Sequence, residues 1–203
     1  MPPDRLNRRR YDFYAPFYDA MAVILRPGRR AAIQRLALQP GEKVLLVGCG
    51  TGLDFAHLPP GLHVAGLDVS PGMLKRARAR AARIGLTADL REGDARALPF
   101  ADASFDVVIL HLILAVAPDP ELVARESARV LRRGGRVSIF DKFLPLGQRP
   151  SVLRSLLNVA ARRLFSDLNR RAEPLLASAH LTLVSDLPGA FGGRYRHLLA
   201  RKP

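Results

Sequence analysis

At 203 residues the chain can bury a sizeable core but is too short for two large domains, so one core with an appendage at each end is expected. Hydrophobic residues make up 48% and charged residues 25%, as in a soluble globular protein, and a single cysteine excludes a disulfide framework or a cysteine-built metal site. The net charge of +14, from 32 Lys and Arg against 18 Asp and Glu, favours phosphate-bearing partners: nucleic acid or anionic lipid. An arginine excess of purely compositional origin is the competing reading.

The N-terminus carries Pro2, Pro3 and Asp4 and then Arg8, Arg9 and Arg10, with no apolar export signal. The longest apolar run, Val107 to Ala117, is interrupted by His111 and is far short of the ~20 residues a membrane span needs. A cytoplasmic protein without a spanning segment is expected, free or peripheral at the inner face of the membrane. Tyr11 to Leu38 reads as a helical preface with Phe13, Phe17, Met21, Ile24 and Leu25 near one side and arginines on either flank. Such a segment packs on a sheet, lids a pocket or lies on a membrane surface.

From Gly41 to Asp141, short apolar runs alternate with helical stretches, which signals parallel βαβ units. Strands are predicted over Lys43 to Val47 and His63 to Val69. Ser70 and Pro71 then read as an N-cap and first helical residue, and Gly85 stops that helix. Ala88 to Glu92 and Phe105 to Leu112 are the third and fourth strands. Asp119-Pro120 opens a helix running through Leu131 to Gly134-Gly135, and Arg136 to Asp141 is the fifth strand. Leu181 to Asp186 and Arg194 to Ala200 read as an antiparallel closing hairpin. The expected fold is α/β: a Rossmann-like, doubly wound, seven-stranded sheet, mostly parallel with an antiparallel C-terminal hairpin. It forms one domain, with residues 1–38 as lid or membrane-surface segment, 41–142 as core, and 143–203 as substrate-side helices and hairpin.

The chemistry concentrates at three strand ends. Gly48, Gly50 and Gly52 follow strand one, where they allow a tight turn that brings backbone amides against a ligand. Asp68 ends strand two, twenty residues after Gly48, where a carboxylate accepts from both hydroxyls of a ribose. Gly93-Asp94-Ala95 ends strand three, where a carboxylate accepts from an adenine amino group. All three meet at the carboxyl edge of the sheet, the usual ligand crevice of open α/β folds. A nicotinamide dehydrogenase would place its third glycine at position 53, which is Leu53, and lacks the closing hairpin.

These stretches, Val44 to Gly52, Gly66 to Leu74, Gly93-Asp94-Ala95, Leu98-Pro99-Phe100 and Phe105-Asp106, resemble class I methyltransferases dependent on S-adenosylmethionine, over residues 41 to 142. The resemblance implies that Gly48, Gly50 and Gly52 abut the methionine part of the cofactor, Asp68 the ribose, and Met73, Asp94 and Ala95 the adenine, with Cys49, a small side chain in the turn, and Val69 also on the cofactor-binding side. It also implies that His111, ending strand four, faces the methyl group. One departure is Leu46, where the family carries an acidic residue for the cofactor's amino group, so the glycine-loop backbone or Asp54 is expected to replace it. Tyr11-Asp12 and Tyr18-Asp19 are similar to the entry segment of quinone-biosynthesis methyltransferases and bacterial phospholipid N-methyltransferases.

His111, Tyr18 and Asp141 are the candidates for orienting the acceptor or taking its proton, with a packed residue as the alternative for His111 and Tyr18 and a cap or solvated loop for Asp141. Tyr11 is a candidate to lay its ring on the sulfonium. Asn169-Arg170-Arg171 forms a polar cluster suited to an anionic group. The methyl acceptor is expected to be lipid-associated, with phosphatidylethanolamine first, or else small and soluble or quinone-like. An RNA-binding role for the basic surface is the reading from another class, although no RNA-reading motif or aromatic run supports it. No metal is required.

Overall fold

The computed structural model describes residues 23–144 and 169–203. A 3-10 turn, Val23–Leu25, leads into helix α1, Arg26–Arg35. The βαβ core follows with β1 (Lys43–Val47), β2 (His63–Asp68), α2 (Pro71–Arg83), β3 (Ala88–Glu92), β4 (Phe105–His111), α3 (Pro120–Val130) and β5 (Leu131–Lys142). A short helix α4 (Glu173–Ser178), strand β6 (Thr182–Pro188), a helical turn (Ala190–Gly193) and β7 (Tyr195–Arg201) end the chain.

The seven strands lie in the order β3-β2-β1-β4-β5-β7-β6. Strands β1 to β5 run parallel, and β7 is antiparallel to both β5 and β6. The strand order reverses between β1 and β4, which opens a crevice beyond their carboxyl ends. Because Tyr195 pairs with Lys142 and Arg196 with Pro188, the β6–β7 turn stands on the same carboxyl edge as the crevice.

Strand β1 shows why the sheet is covered on both faces. Its side chains alternate, so Leu45 and Val47 join a core with Val108, Leu110, Val123 and Ala124, while Val44 and Leu46 join another with Leu74, Ala77, Ile33 and Leu36. Burying each such leucine removes it from water at a gain of roughly 1.5–3 kcal/mol. Leu46 therefore contributes to packing, 1% exposed among apolar neighbours. Both predicted N-caps form: Ser70 Oγ accepts from the Met73 amide at 3.1 Å and an Asp119 oxygen from the Leu122 amide at 2.9 Å.

Two boundaries differ from expectation. Helix α3 stops at Val130, and Leu131, fully buried, already has extended backbone and pairs with Phe105. Gly134, at φ +72°, and Gly135 make a turn tied to Lys202 by two backbone hydrogen bonds, so these glycines bend a strand and do not end a helix. Of the predicted preface, the described part is helical only from Arg26 to Arg35, and it packs on the sheet. Gly28 permits that approach: a Cβ there would lie 2.3 Å from Phe140 Cζ. Leu25 joins Ala32 and Phe140 in a small core, whereas Ile24 stays exposed. Among the described residues no helix is long and apolar enough to cross a membrane.

Candidate active site

The glycine loop folds back onto β2. The amides of Gly48 and Cys49 both donate to the Leu67 carbonyl, at 2.8 and 3.0 Å. Gly48 has φ +67°, a conformation costly for other residues, and a Cβ there would lie 2.6 Å from Ile113 Cδ1 across the crevice. Asp68 ties the loop to the next helix. One of its oxygens accepts from the Gly50 amide at 2.8 Å and the other from the Ser70 amide at 3.0 Å. A carboxylate oxygen can accept more than one hydrogen bond. Arg80 of α2 donates to the Thr51 carbonyl at 2.9 Å and holds the loop from below.

A cleft opens here, lined by Gly48, Gly50, Asp68 and Met73 on the cofactor-loop side and by Ile113, Val116 and Val123 opposite. Val69, Asp94, Ala95 and His111 also line it, so eight of the predicted site residues meet in one place. A largely apolar slot with Asp68 between the glycine loop and Met73, and Asp94 further along, has a polarity suited to a nucleoside. Cys49 and Gly52 belong to the loop but do not line the cleft. Cys49 is buried, and burial followed by the nearby Asp68 charge pushes its thiol well above the usual range. Asp94 reaches the cleft while gripped by Arg96, whose Nη2 is 2.6 Å away, and this hydrogen bond lowers its pKa. Sequence reasoning missed Arg96, although it adjoins the motif.

His111 is held from two sides in a buried polar line. Its Nδ1 lies 2.9 Å from Asp54 Oδ1 and its Nε2 3.0 Å from Ser138 Oγ. Arg29 of α1 donates to Asp54 Oδ2 at 2.5 Å. None of the four residues is more than 4% exposed. Burial alone would raise the Asp54 pKa, but Arg29 and then His111 more than reverse this and hold the carboxyl far below the ordinary range. Asp54 thus belongs to this line, with Arg29 and His111 on its two oxygens. Arg29 carried no sequence signal, but a lone Ser138 within the apolar Val137 to Phe140 run was one.

Asp141 is 1% exposed and stands behind the cleft wall. One oxygen accepts from the Ala115 amide at 2.8 Å and the other from the Lys142 amide at 2.8 Å, fixing the loop after β4. Burial raises its pKa, against the lowering effect of those two amides. Arg170 secures the same loop, donating to the carbonyls of Leu114 and Ala117. Tyr11 and Tyr18 lie outside the described residues.

Residues 45–139 match a protein family described as methyltransferase domain. The chain is 36% identical over 178 residues to a phosphatidylethanolamine N-methyltransferase of Cereibacter sphaeroides, covering 85% of either protein. The chain belongs to the S-adenosylmethionine-dependent methyltransferases. A demethylmenaquinone methyltransferase of Renibacterium salmoninarum is 37% identical over 137 residues, which is 64% of this methyltransferase but only 56% of that relative. Among solved structures, geranyl diphosphate methyltransferase in complex with S-adenosylmethionine superposes with TM-score 0.72 at 19% identity, covering 88% of this chain and 85% of that one. The cyclase SpnF superposes at 0.83, also at 19% identity, covering 100% and 98%. A cyclase on the same fold shows that the fold alone does not fix the reaction. S-adenosylmethionine is the cofactor, and a methyl acceptor is implied.

Proposed function

We propose that this methyltransferase methylates the head-group amine of a phospholipid such as phosphatidylethanolamine, working peripherally on an anionic membrane face. The observation that carries the proposal is the 36% identity to the Cereibacter sphaeroides phosphatidylethanolamine N-methyltransferase over 85% of either chain. The surface beside the cleft supports it. Phe191, 56% exposed, stands on the β6–β7 turn at the carboxyl edge, and Ile24, 64% exposed, precedes α1 next to the small core around Phe140. Exposed Arg26, Arg30 and Arg194 accompany them. Apolar side chains among cations suit an anionic bilayer.

S-adenosylmethionine supplies a methyl group on a positive sulfur, which leaves by in-line displacement. The chain's task is to fix the cofactor and admit an amine with a free lone pair. Asp68 and the glycine loop do the first. The apolar cleft wall favours the second, because burial disfavours an ammonium relative to the neutral amine. His111, both ring nitrogens held by the protein, shapes the wall against which the acceptor packs, and Asp141 acts through Ala115 to set the loop that carries Ile113. Tyr11 and Tyr18 are proposed to complete the cofactor and acceptor contacts from the N-terminal segment.

The test is transfer of labelled methyl groups from S-adenosylmethionine to vesicles of phosphatidylethanolamine and phosphatidylglycerol. Demethylmenaquinone in the same vesicles, free ethanolamine and RNA serve as competing substrates. Label in the ethanolamine phospholipid, lost in Tyr18→Phe and His111→Gln, is expected. Label only in the quinone would move the assignment to the second relative's reaction, and retention on RNA alone would refute the lipid reading.

A further inference from the structure

We propose that Asp54, Ser138 and Arg29 are positioning residues for methyl transfer: they hold the His111 ring in one orientation, hydrogen on Nδ1, in the wall of the acceptor cleft. The inference rests on the reading of that cleft as the site of methyl transfer.

Four groups from four parts of the chain carry it. Asp54 comes from the loop after β1, Arg29 from α1, His111 from the end of β4 and Ser138 from β5. An ionised Asp54 only accepts hydrogen bonds, so at 2.9 Å the hydrogen between it and His111 belongs to Nδ1. Nε2 lies 3.0 Å from the Ser138 hydroxyl, which donates to its lone pair when Nδ1 alone carries hydrogen. With both nitrogens engaged by the protein the ring cannot swivel, and Phe140 meets it edge to face at a centroid distance of 6.0 Å.

Arg29 fixes the carboxylate that receives the ring hydrogen. The Arg29 guanidinium, 2.5 Å from the other carboxylate oxygen, cancels the Asp54 charge from the far side. Among the described residues, His57 beside Asp54 and His197 of β7 beside His111 also face this line, with Arg26, Arg30 and Arg35 around those two histidines. A buried ion pair gains little stability over apolar packing, so its cost here is accounted for by the ring it holds.

The test uses the full chain with nitrogen-15 histidine. It combines imidazole nitrogen spectra at pH 7, S-adenosylmethionine titration, and kcat and KM on whichever vesicle acceptor the wild type methylates. The His111 signal, identified by its loss in His111→Gln, is expected to show hydrogen on Nδ1. Asp54→Asn can donate its amide hydrogen to Nδ1, and is expected to move the ring proton to Nε2. Its kcat should fall at least tenfold, with cofactor affinity within threefold of wild type. Ser138→Ala, a milder change, should keep the tautomer and lower kcat severalfold.

The proposal is overturned by a wild-type His111 protonated on Nε2 alone. It is equally overturned by a tautomer shift in Asp54→Asn without loss of kcat, or by cofactor affinity falling in step with kcat in both Asp54→Asn and Ser138→Ala. Wild-type methylation of quinone in place of phospholipid refutes the substrate reading only. Inactivity on every acceptor overturns both.

Discussion

Replacing Asp68 by alanine removes the carboxylate that joins the glycine loop to α2. Two contacts vanish at once, from the Gly50 amide at 2.8 Å and the Ser70 amide at 3.0 Å. A ribose diol loses two hydrogen bonds to a charged group, each worth about 1.5–3 kcal/mol, so binding should weaken by roughly 3–6 kcal/mol. That corresponds to a dissociation constant raised between about a hundredfold and ten-thousandfold. Freeing the two amides should also destabilise the fold by about 1–3 kcal/mol. Calorimetric titration with S-adenosylmethionine and S-adenosylhomocysteine measures the first effect, with NAD as a control expected not to bind, and thermal melting measures the second. Asp68→Asn keeps one acceptor oxygen and should fall between. Binding by Asp68→Ala within threefold of wild type would refute the ribose assignment and with it the geometry argued for the cleft.

Two of the buried carboxylates, Asp54 and Asp141, should affect acid stability with opposite signs. Asp54 has a folded pKa below its unfolded value, so its stabilisation is complete above the ordinary carboxylate range and is lost only as pH falls toward the folded value. Asp54→Ala should therefore lose about 3–5 kcal/mol at pH 7 in denaturant unfolding, and the deficit should shrink in acid. Asp141, with a raised folded pKa, contributes most below its unfolded value, and that contribution is lost as pH rises through the folded one. The stability of Asp141→Asn relative to wild type should thus improve from pH 4 to pH 7, as denaturant midpoints will show. Gly28→Ala should cost about 1–3 kcal/mol by overpacking against the Phe140 ring, lowering the melting temperature. The Cys49 thiol, buried and raised in pKa, should resist a disulfide reagent at pH 8 until the chain is unfolded, and fast labelling of the native protein would show that the loop opens.

The cofactor side of the site was legible because its signals are local. A strand, a turn and a helix cap each announce themselves within a few residues, so Gly48, Asp68, Met73 and Asp94 were readable by their spacing after apolar runs. The seven-stranded sheet followed for the same reason, since alternation and glycine stops fixed nearly every element. The Gly134-Gly135 error has the same root. Glycines mark a bend without saying which element bends, and only the burial of Leu131 against β4 decides that it is strand.

What the sequence alone determined was the fold, the cofactor and the edge of the sheet where chemistry occurs. The tertiary structure decided the company each polar residue keeps. Asp54 was a candidate for the cofactor's amino group, His111 stood between catalytic and core readings, and nothing distinguished Arg29 from its neighbouring arginines. Contacts 25, 57 and 27 residues apart join these three and Ser138 into one buried line. Short-range propensity does not encode such partners, because a buried charge is tolerated only where folding brings its counter-charge within hydrogen-bond reach.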